Sequence, residues 1–298
     1  MTDHLLRLLI VNGLRRDSSE DLYQDLATRL QARGIAVDLQ HRLDTGWPRL
    51  AAYDVVFSND ELSPELRAFT TCYGGRPISR PAALAMLAAA GVETMDWTLA
   101  RSRREVWRLF ARWRVERLLL KPSFTFGGKD VCVFSRRGVW RLRWTSEADV
   151  FCREVNPDDG DVYKAELLNG RIVIAWRSLA PPLRTLVGGS FHRGVAGAYG
   201  TRELWEPPPV LAARLAALSA ALTAHGLGYL SVDLMQRSDG AFVAIELNPR
   251  GVATWWTRQS PAMRARYADA LEDLVRRAPS AHERRGLAEA PGEDEVGE

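Results

Sequence analysis

The chain has 298 residues, 46 % of them apolar, which suffices for about two domains of ~150 residues with filled cores. Forty Lys and Arg against 37 Asp and Glu leave a formal net charge of +3, too small for a dedicated polyanion binder, so no nucleic-acid partner is expected. Three cysteines without a CxxC pair offer no disulfide framework, five histidines show no HExxH or HxH spacing, and no apolar window is long enough to span a membrane. A cytoplasmic protein is expected, with chemistry resting on carboxylates, lysines and arginines.

Residues 5–11 are an apolar run ending at Asn12-Gly13, and Ser18-Ser19-Glu20-Asp21 supplies caps for a helix reaching about residue 33. Residues 35–39 and 53–57 read as further strands, buried and parallel, so the first ~75 residues form a small α/β domain. Pro81 opens an alanine-rich helix that stops at Gly91, and a second helix covers about 101–113. Short β runs follow at 117–121, 131–134, 150–155 and 162–175, with glycine-bearing turns between them, which predicts an antiparallel second unit. After Pro207-Pro208-Pro209, residues 210–225 carry helical spacing up to Gly226 and Gly228. Strands at 229–235 and 241–247 are then joined by Arg237-Ser238-Asp239-Gly240, good hairpin chemistry. Residues 279–298 hold few large apolar side chains and read as a disordered acidic tail.

The last two strands carry the most informative side chains. Glu246 and Asn248 share one face of a strand because side chains alternate with period two, and antiparallel pairing brings Asp233 opposite them. Two carboxylates and a carboxamide suit a hard cation such as Mg²⁺ shared with phosphate oxygens; the competing reading is ordinary strand-end polarity. Arg250 follows at once as a cation for an anionic group. Lys121 ends a strand before the loop Phe124-Thr125-Phe126-Gly127-Gly128-Lys129-Asp130, where glycines let backbone amides approach a phosphate. Neither GxxxxGK[ST] nor GxGxxG is present, and a plain hairpin with a surface lysine fits the same residues. Trp205, Trp255 and Trp256 line a substrate pocket or serve as packing, and the cysteines read as buried hydrophobes. Asn12, Arg15 and Arg16 follow the first strand, where open α/β sheets bind ligands, or form a solvated loop.

Taken in order, these parts resemble the ATP-grasp superfamily, in the carboxylate–amine ligase branch similar to glutathione synthetase and ribosomal-protein glutamate ligase: a small α/β domain, Lys121-Pro122, the glycine loop, a connecting strand, then Asp233 with Glu246-Leu247-Asn248-Pro249-Arg250. The resemblance spans about residues 5–260. It implies an α/β and α+β architecture: a pre-ATP-grasp domain (1–78), a small subdomain with the lysine and glycine-loop hairpin (79–155), and a metal-binding subdomain (156–278), the last two clamping ATP. It implies ATP phosphates on Lys121, Gly127, Gly128 and Lys129, Mg²⁺ or Mn²⁺ on Asp233, Glu246 and Asn248, and phosphate or acyl phosphate on Arg250. The stretch from Phe151 to Lys164 resembles the hinge of that superfamily, with Glu154 and Val155 at the adenine edge, Asp161 (ahead of Asp159) on the ribose, and Lys164 as a substrate or phosphate contact. Two departures stand out: Arg80 occupies the place of a second phosphate lysine, and segment 181–200 lacks the usual Arg-x-Asn, leaving Arg193, with Arg184, as its arginines. The implied activity is ATP-dependent ligation, in which a small-molecule or peptide carboxylate is activated as an acyl phosphate and captured by an amine or other nucleophile. A small-molecule kinase and a non-catalytic nucleotide binder remain the alternatives, and a homodimer is admitted.

Overall fold

The computed structural model describes residues 5–13, 17–41, 47–63, 65–66, 69–123, 131–142, 149–153, 161–179, 191–193, 201–249 and 260–278. The chain divides into two compact units, one from Met1–Arg76, Ala220–Tyr229 and Arg250–Glu298, the other from Pro77–Ser219 and Leu230–Pro249.

In the first unit β1 (Arg7–Val11), β2 (Ala36–Gln40), β3 (Val55–Glu61) and β4 (Thr71–Gly75) form a parallel sheet in the order β2-β1-β3-β4. Leu8, Leu9 and Ile10 are fully buried, as the continuous apolar run of a central parallel strand requires. Helix α1 (Asp17–Gln31) packs against a C-terminal helix, Pro261–Arg277, which escaped the chain-order reading. The two are joined where Arg33 Nη1 meets Asp269 and Glu272, each at 2.7 Å, while Arg276 Nη2 donates to the Arg33 carbonyl at 3.1 Å. From that C-terminal helix Tyr267 enters the core, edge-on to Phe57 at 6.5 Å and stacked on Tyr229 at 6.3 Å. At the carboxyl ends of β1 and β3, Asn59 Nδ2 donates to Asn12 Oδ1 at 2.8 Å, both side chains being buried.

The second unit holds two antiparallel sheets. One comprises β5 (Trp97–Leu99), β6 (Arg117–Lys121), β7 (Cys132–Ser135), β8 (Val150–Arg153) and β11 (Phe191–Arg193) in the order β11-β7-β6-β8-β5. Helix α2 (Arg80–Ala89) precedes it and ends where Gly91, at φ +73°, lets Val92 N–H reach the Leu87 carbonyl. Helix α3 (Arg103–Trp113) is capped by Ser102, whose hydroxyl accepts from Glu105 N–H, and it buries Val106, Leu109 and Phe110 in the core of that sheet. There Phe110, Phe134 and Phe151 meet edge to face at 5.9 and 6.3 Å.

The other sheet comprises β9 (Val162–Leu168), β10 (Arg171–Leu179), β12 (Thr201–Leu204), β13 (Leu230–Gln236) and β14 (Phe242–Asn248) in the order β12-β10-β9-β13-β14. Helix α4 (Pro209–Ala224) leads into β13, and the C-terminal helix Pro261–Arg277 is α5. The expected single run at 162–175 is instead the hairpin β9–β10, because Asn169 (φ 49°) and Gly170 (φ 74°) form a two-residue turn of the kind that reverses a strand. All three cysteines are buried, as anticipated. Among the described residues no helix is long and apolar enough to cross a membrane. The tail 279–298 lies outside the described residues.

Gly170→Ala is expected to lower stability by about 1 kcal/mol, because a Cβ disfavours the left-handed conformation. Urea denaturation of the two proteins checks this; equal midpoints would mean that the turn relaxes without strain.

Candidate functional site

The site is built by strand register in the second unit. Strands β13 and β14 pair so that Asp233 stands opposite Glu246 and Ser231 opposite Asn248, while β13 and β9 pair Asp233 with Lys164 and Ser231 with Glu166. On the far side of β9, Lys164 faces Trp176 and Glu166 faces Ile174. Period-two alternation therefore gathers Trp176, Lys164, Glu166, Asp233, Glu246 and Asn248 on one face. The opposite face is aromatic: Tyr163, Trp205 and Phe242 lie within 4.8–5.1 Å of one another, so Trp205 is packing.

A β-bulge joins this face to Lys121. Between the pairs Asp233–Glu246 and Leu234–Ala244 the ladder skips Ile245. The skipped residue's carbonyl accepts a hydrogen bond from Lys121 Nζ at 3.2 Å. Lys121 is 8 % exposed, and burial pulls its pKa below the ordinary lysine value. Segment 93–95, after α2, is stitched to β14 as well: Ala244 N–H donates to the Glu93 carbonyl at 2.7 Å, and Met95 N–H to the Ala244 carbonyl at 3.1 Å.

Both carboxylates of the hairpin have cationic neighbours. Lys164 Nζ lies 2.9 Å from Asp233 Oδ1, and Asn248 Nδ2 donates to Asp233 Oδ2 at 3.4 Å. Arg80 Nη2 lies 3.4 Å from Glu246 Oε1, with its Nε donating to the Pro122 carbonyl at 3.1 Å. The α2 start is anchored to the Lys121 strand, since Arg80 N–H donates to the Ser123 carbonyl at 2.9 Å and Ser123 N–H to the buried Asp149 at 3.0 Å. Burial pushes the Glu246 carboxyl up, with Arg80 opposing the shift.

The sequence reading overlooked Glu166. It is buried, accepts from Trp176 Nε1 at 3.2 Å, and is pushed up to about 7 by burial against the opposing pull of Lys164. Its signal was available, because Glu166 is two residues beyond Lys164 on the same strand. Arg202 completes this end of the face with its guanidinium 4.9 Å above the Trp176 ring.

Arg80, Lys121, Lys164, Asp233, Glu246 and Asn248 therefore stand in one region, while Asp161 is half-buried just before β9. Arg193 belongs to β11 and pairs with Cys132 at the start of β7; its side chain is not described. Gly127, Gly128, Lys129, Glu154, Val155, Arg184 and Arg250, with Arg15, Arg16, Trp255 and Trp256, lie outside the described residues. As a metal site the donor set fits a hard cation. Two carboxylates and a carboxamide share one face, and burial disfavours a bare charge on Glu246, which a cation would compensate. Among the described residues no group of three or more His, Cys, Asp or Glu gathers, so such an ion would draw its remaining oxygens from elsewhere.

No family model matches the sequence, and no curated protein matches it either. Solved structures do. The D-cycloserine synthetase DcsG superposes with a TM-score of 0.61 at 18 % identity, covering 91 % of this chain and 99 % of that one. The ATP-grasp ligase PsnB, complexed with minimal precursor, Mg and ADP, gives 0.58 at 15 % identity over 91 % and 98 % of the two chains. The D-alanine–D-alanine ligase of Bacillus anthracis gives 0.57 at 14 % identity over 95 % and 100 %. Across about nine-tenths of its length the chain thus has the ATP-grasp fold.

Proposed function

We propose that the chain is an ATP-dependent ligase that activates a substrate carboxylate as an acyl phosphate and joins it to an amine. The observation that carries this reading is the register of β9, β13 and β14, which gathers Lys164, Asp233, Glu246 and Asn248 beside Lys121 and Arg80 within an ATP-grasp fold. In such a reaction the carboxylate oxygen bonds to the γ-phosphorus as ADP departs, and the amine nitrogen then bonds to the acyl carbon as phosphate departs. Asp233, Glu246 and Asn248 would hold Mg²⁺, or Mn²⁺, which when bound screens the charge of the β- and γ-phosphates.

Lys121 spends one of its three N–H donors on Ile245, leaving two to face phosphate oxygens. Arg80 fills the role of the second phosphate cation, its fork fixed between Glu246 and the Pro122 carbonyl. Lys164 is held by Asp233 at the substrate end of the face. By resemblance, Gly127, Gly128 and Lys129 would cover the phosphates, Glu154 and Val155 meet adenine, Asp161 meet the ribose, and Arg184, Arg193 and Arg250 hold the acyl phosphate. PsnB is complexed with a precursor, and DcsG is a synthetase of a small molecule. We infer for this chain an amino-acid or peptide carboxylate as substrate.

The direct test is incubation with Mg-ATP, a pool of amino acids and short peptides, and hydroxylamine, with products read by mass spectrometry. ADP together with a hydroxamate is the expected result; ADP with a stable phosphorylated product would make the chain a kinase instead. Glu246→Gln is expected to abolish ADP formation while the melting temperature stays within a few degrees of the wild type, and retained turnover would remove Glu246 from the metal set. Glu166 gives a pH signature. Burial pushes its carboxyl up to about 7 from the ordinary 4.5 of a glutamate, so its stabilising contribution is complete below 4.5 and is lost as pH rises through about 7. Thermal melts of wild type and Glu166→Gln should therefore agree near pH 4.5 and diverge toward pH 8, the variant becoming the more stable; parallel curves would mean that Glu166 does not titrate in this range.

A further inference from the structure

Away from that site, α3 and the 3-10 helix Arg136–Arg141 carry a surface that folding does not explain. Helix α3 turns Val106, Leu109 and Phe110 inward and leaves Arg104, Arg108 and Arg112 exposed on its outer face. These three stand at i, i+4 and i+8, a stripe about 12 Å long at ~1.5 Å per residue. Like charges at that spacing repel and weaken the helix that bears them. Among the described residues none of the three has an acidic partner. Glu105, the acid of this helix, is already engaged at the N-terminus, where its carboxylate accepts from Arg101 N–H at 2.8 Å.

Trp107 stands three residues from Arg104 on the same helix, and a second exposed indole lies on a neighbouring element. Trp107 is 46 % exposed and Trp140, on the 3-10 helix packed against α3, is 73 % exposed. The 3-10 helix adds the exposed Arg136, Arg137 and Arg141, with the Arg136 guanidinium 5.0 Å above the Trp107 ring. Every cation of the two elements is arginine, whose planar fork matches a carboxylate bidentately, and arginine with tryptophan is the pair most enriched at the energetic centres of protein interfaces.

We propose that this face docks an acidic peptide segment, its carboxylates on Arg104, Arg108 and Arg112 and an apolar side chain against Trp107. Complementary charge selects the sign of the partner, and the arrangement selects its class. Against a nucleic acid, the cations of this face are all arginine, whose fork matches a carboxylate bidentately, and the chain's net charge of +3 is too small for a dedicated polyanion binder. A membrane would need the apolar side of α3, and that side is spent on the core. The docking is independent of the ligase reading, because no residue of the Lys121 region takes part.

The test is fluorescence anisotropy of a fluorescein-labelled peptide of alternating glutamate and leucine, titrated with the full chain at low and high salt. The triple variant Arg104→Ala, Arg108→Ala, Arg112→Ala is expected to bind about tenfold or more weakly, a loss of ~1.4 kcal/mol or greater. Trp107→Ala is expected to weaken binding at both salt concentrations. Removing like charges should leave the melting temperature of the triple variant unchanged or higher, which separates lost docking from lost folding. Oligouridylate and phosphatidylserine vesicles serve as competing probes. No peptide binding, equal binding by the triple variant, or tighter capture of the RNA or the vesicles than of the peptide would each overturn the proposal.

Discussion

A buried ammonium needs a partner that burial does not take away, and Lys121 finds one in the carbonyl of Ile245, a residue that a β-bulge has released from its ladder. Desolvating a charge costs several kcal/mol in a protein interior, so a lysine at this depth is sustained only by fixed oxygen acceptors and nearby carboxylates. The same bulge sets the register of the hairpin beyond it. With Ile245 passed over, Glu246 faces Asp233 and Asn248 faces Ser231, and the charged residues of β9 align with them. One irregular residue thereby couples the sheet that ends in Lys121 to the sheet that carries the carboxylates.

Around that coupling the charges alternate in sign: Lys164 against Asp233, Arg80 against Glu246, Lys121 against a carbonyl dipole. A buried pair of this kind is weak evidence for stability, since hydrophobic replacements of similar volume often do as well. The proposed function gives this cluster another reason, since fixed charges kept together are preorganised for a charged ligand. Glu166 fits the pattern from the other direction: burial favours its neutral form, while Lys164 and Arg202 pull toward the charged one.

Much of this was legible in the residues themselves. Arg237 to Gly240 has the composition of a tight reversal that pairs the strand of Asp233 with the strand of Glu246, and period two puts Glu246 and Asn248 on one face, but that face becomes the face of Asp233 only through the bulge at Ile245; Gly91 likewise marks the end of α2. The C-terminal helix carried its own signal in Ser260-Pro261 and the spacing of Met263, Tyr267, Leu271 and Leu274. Asn169-Gly170 is as clear a turn as any, yet apolar residues on both sides masked it as one long run. Other features were not legible. That Lys164 meets Asp233 depends on β9 pairing with a strand more than sixty residues away, and nothing local specifies such a partner. The bulge at Ile245 has no glycine to announce it, and Arg80 reaches Glu246 only through the docking of α2.

The first unit is discontinuous in sequence, and this bears on how the chain is made. Its sheet is complete by Gly75, yet Tyr229 and Tyr267, which close the core around Phe57, are synthesised much later. A nascent chain emerging in order must therefore hold a half-covered parallel sheet while the whole second unit is translated and folded. Closing so long a loop costs entropy that grows only slowly with its length, so the large insertion adds little to the cost of completing the first unit. The first-made strands therefore gain their contacts with Tyr267 only after β5 to β14 have been synthesised.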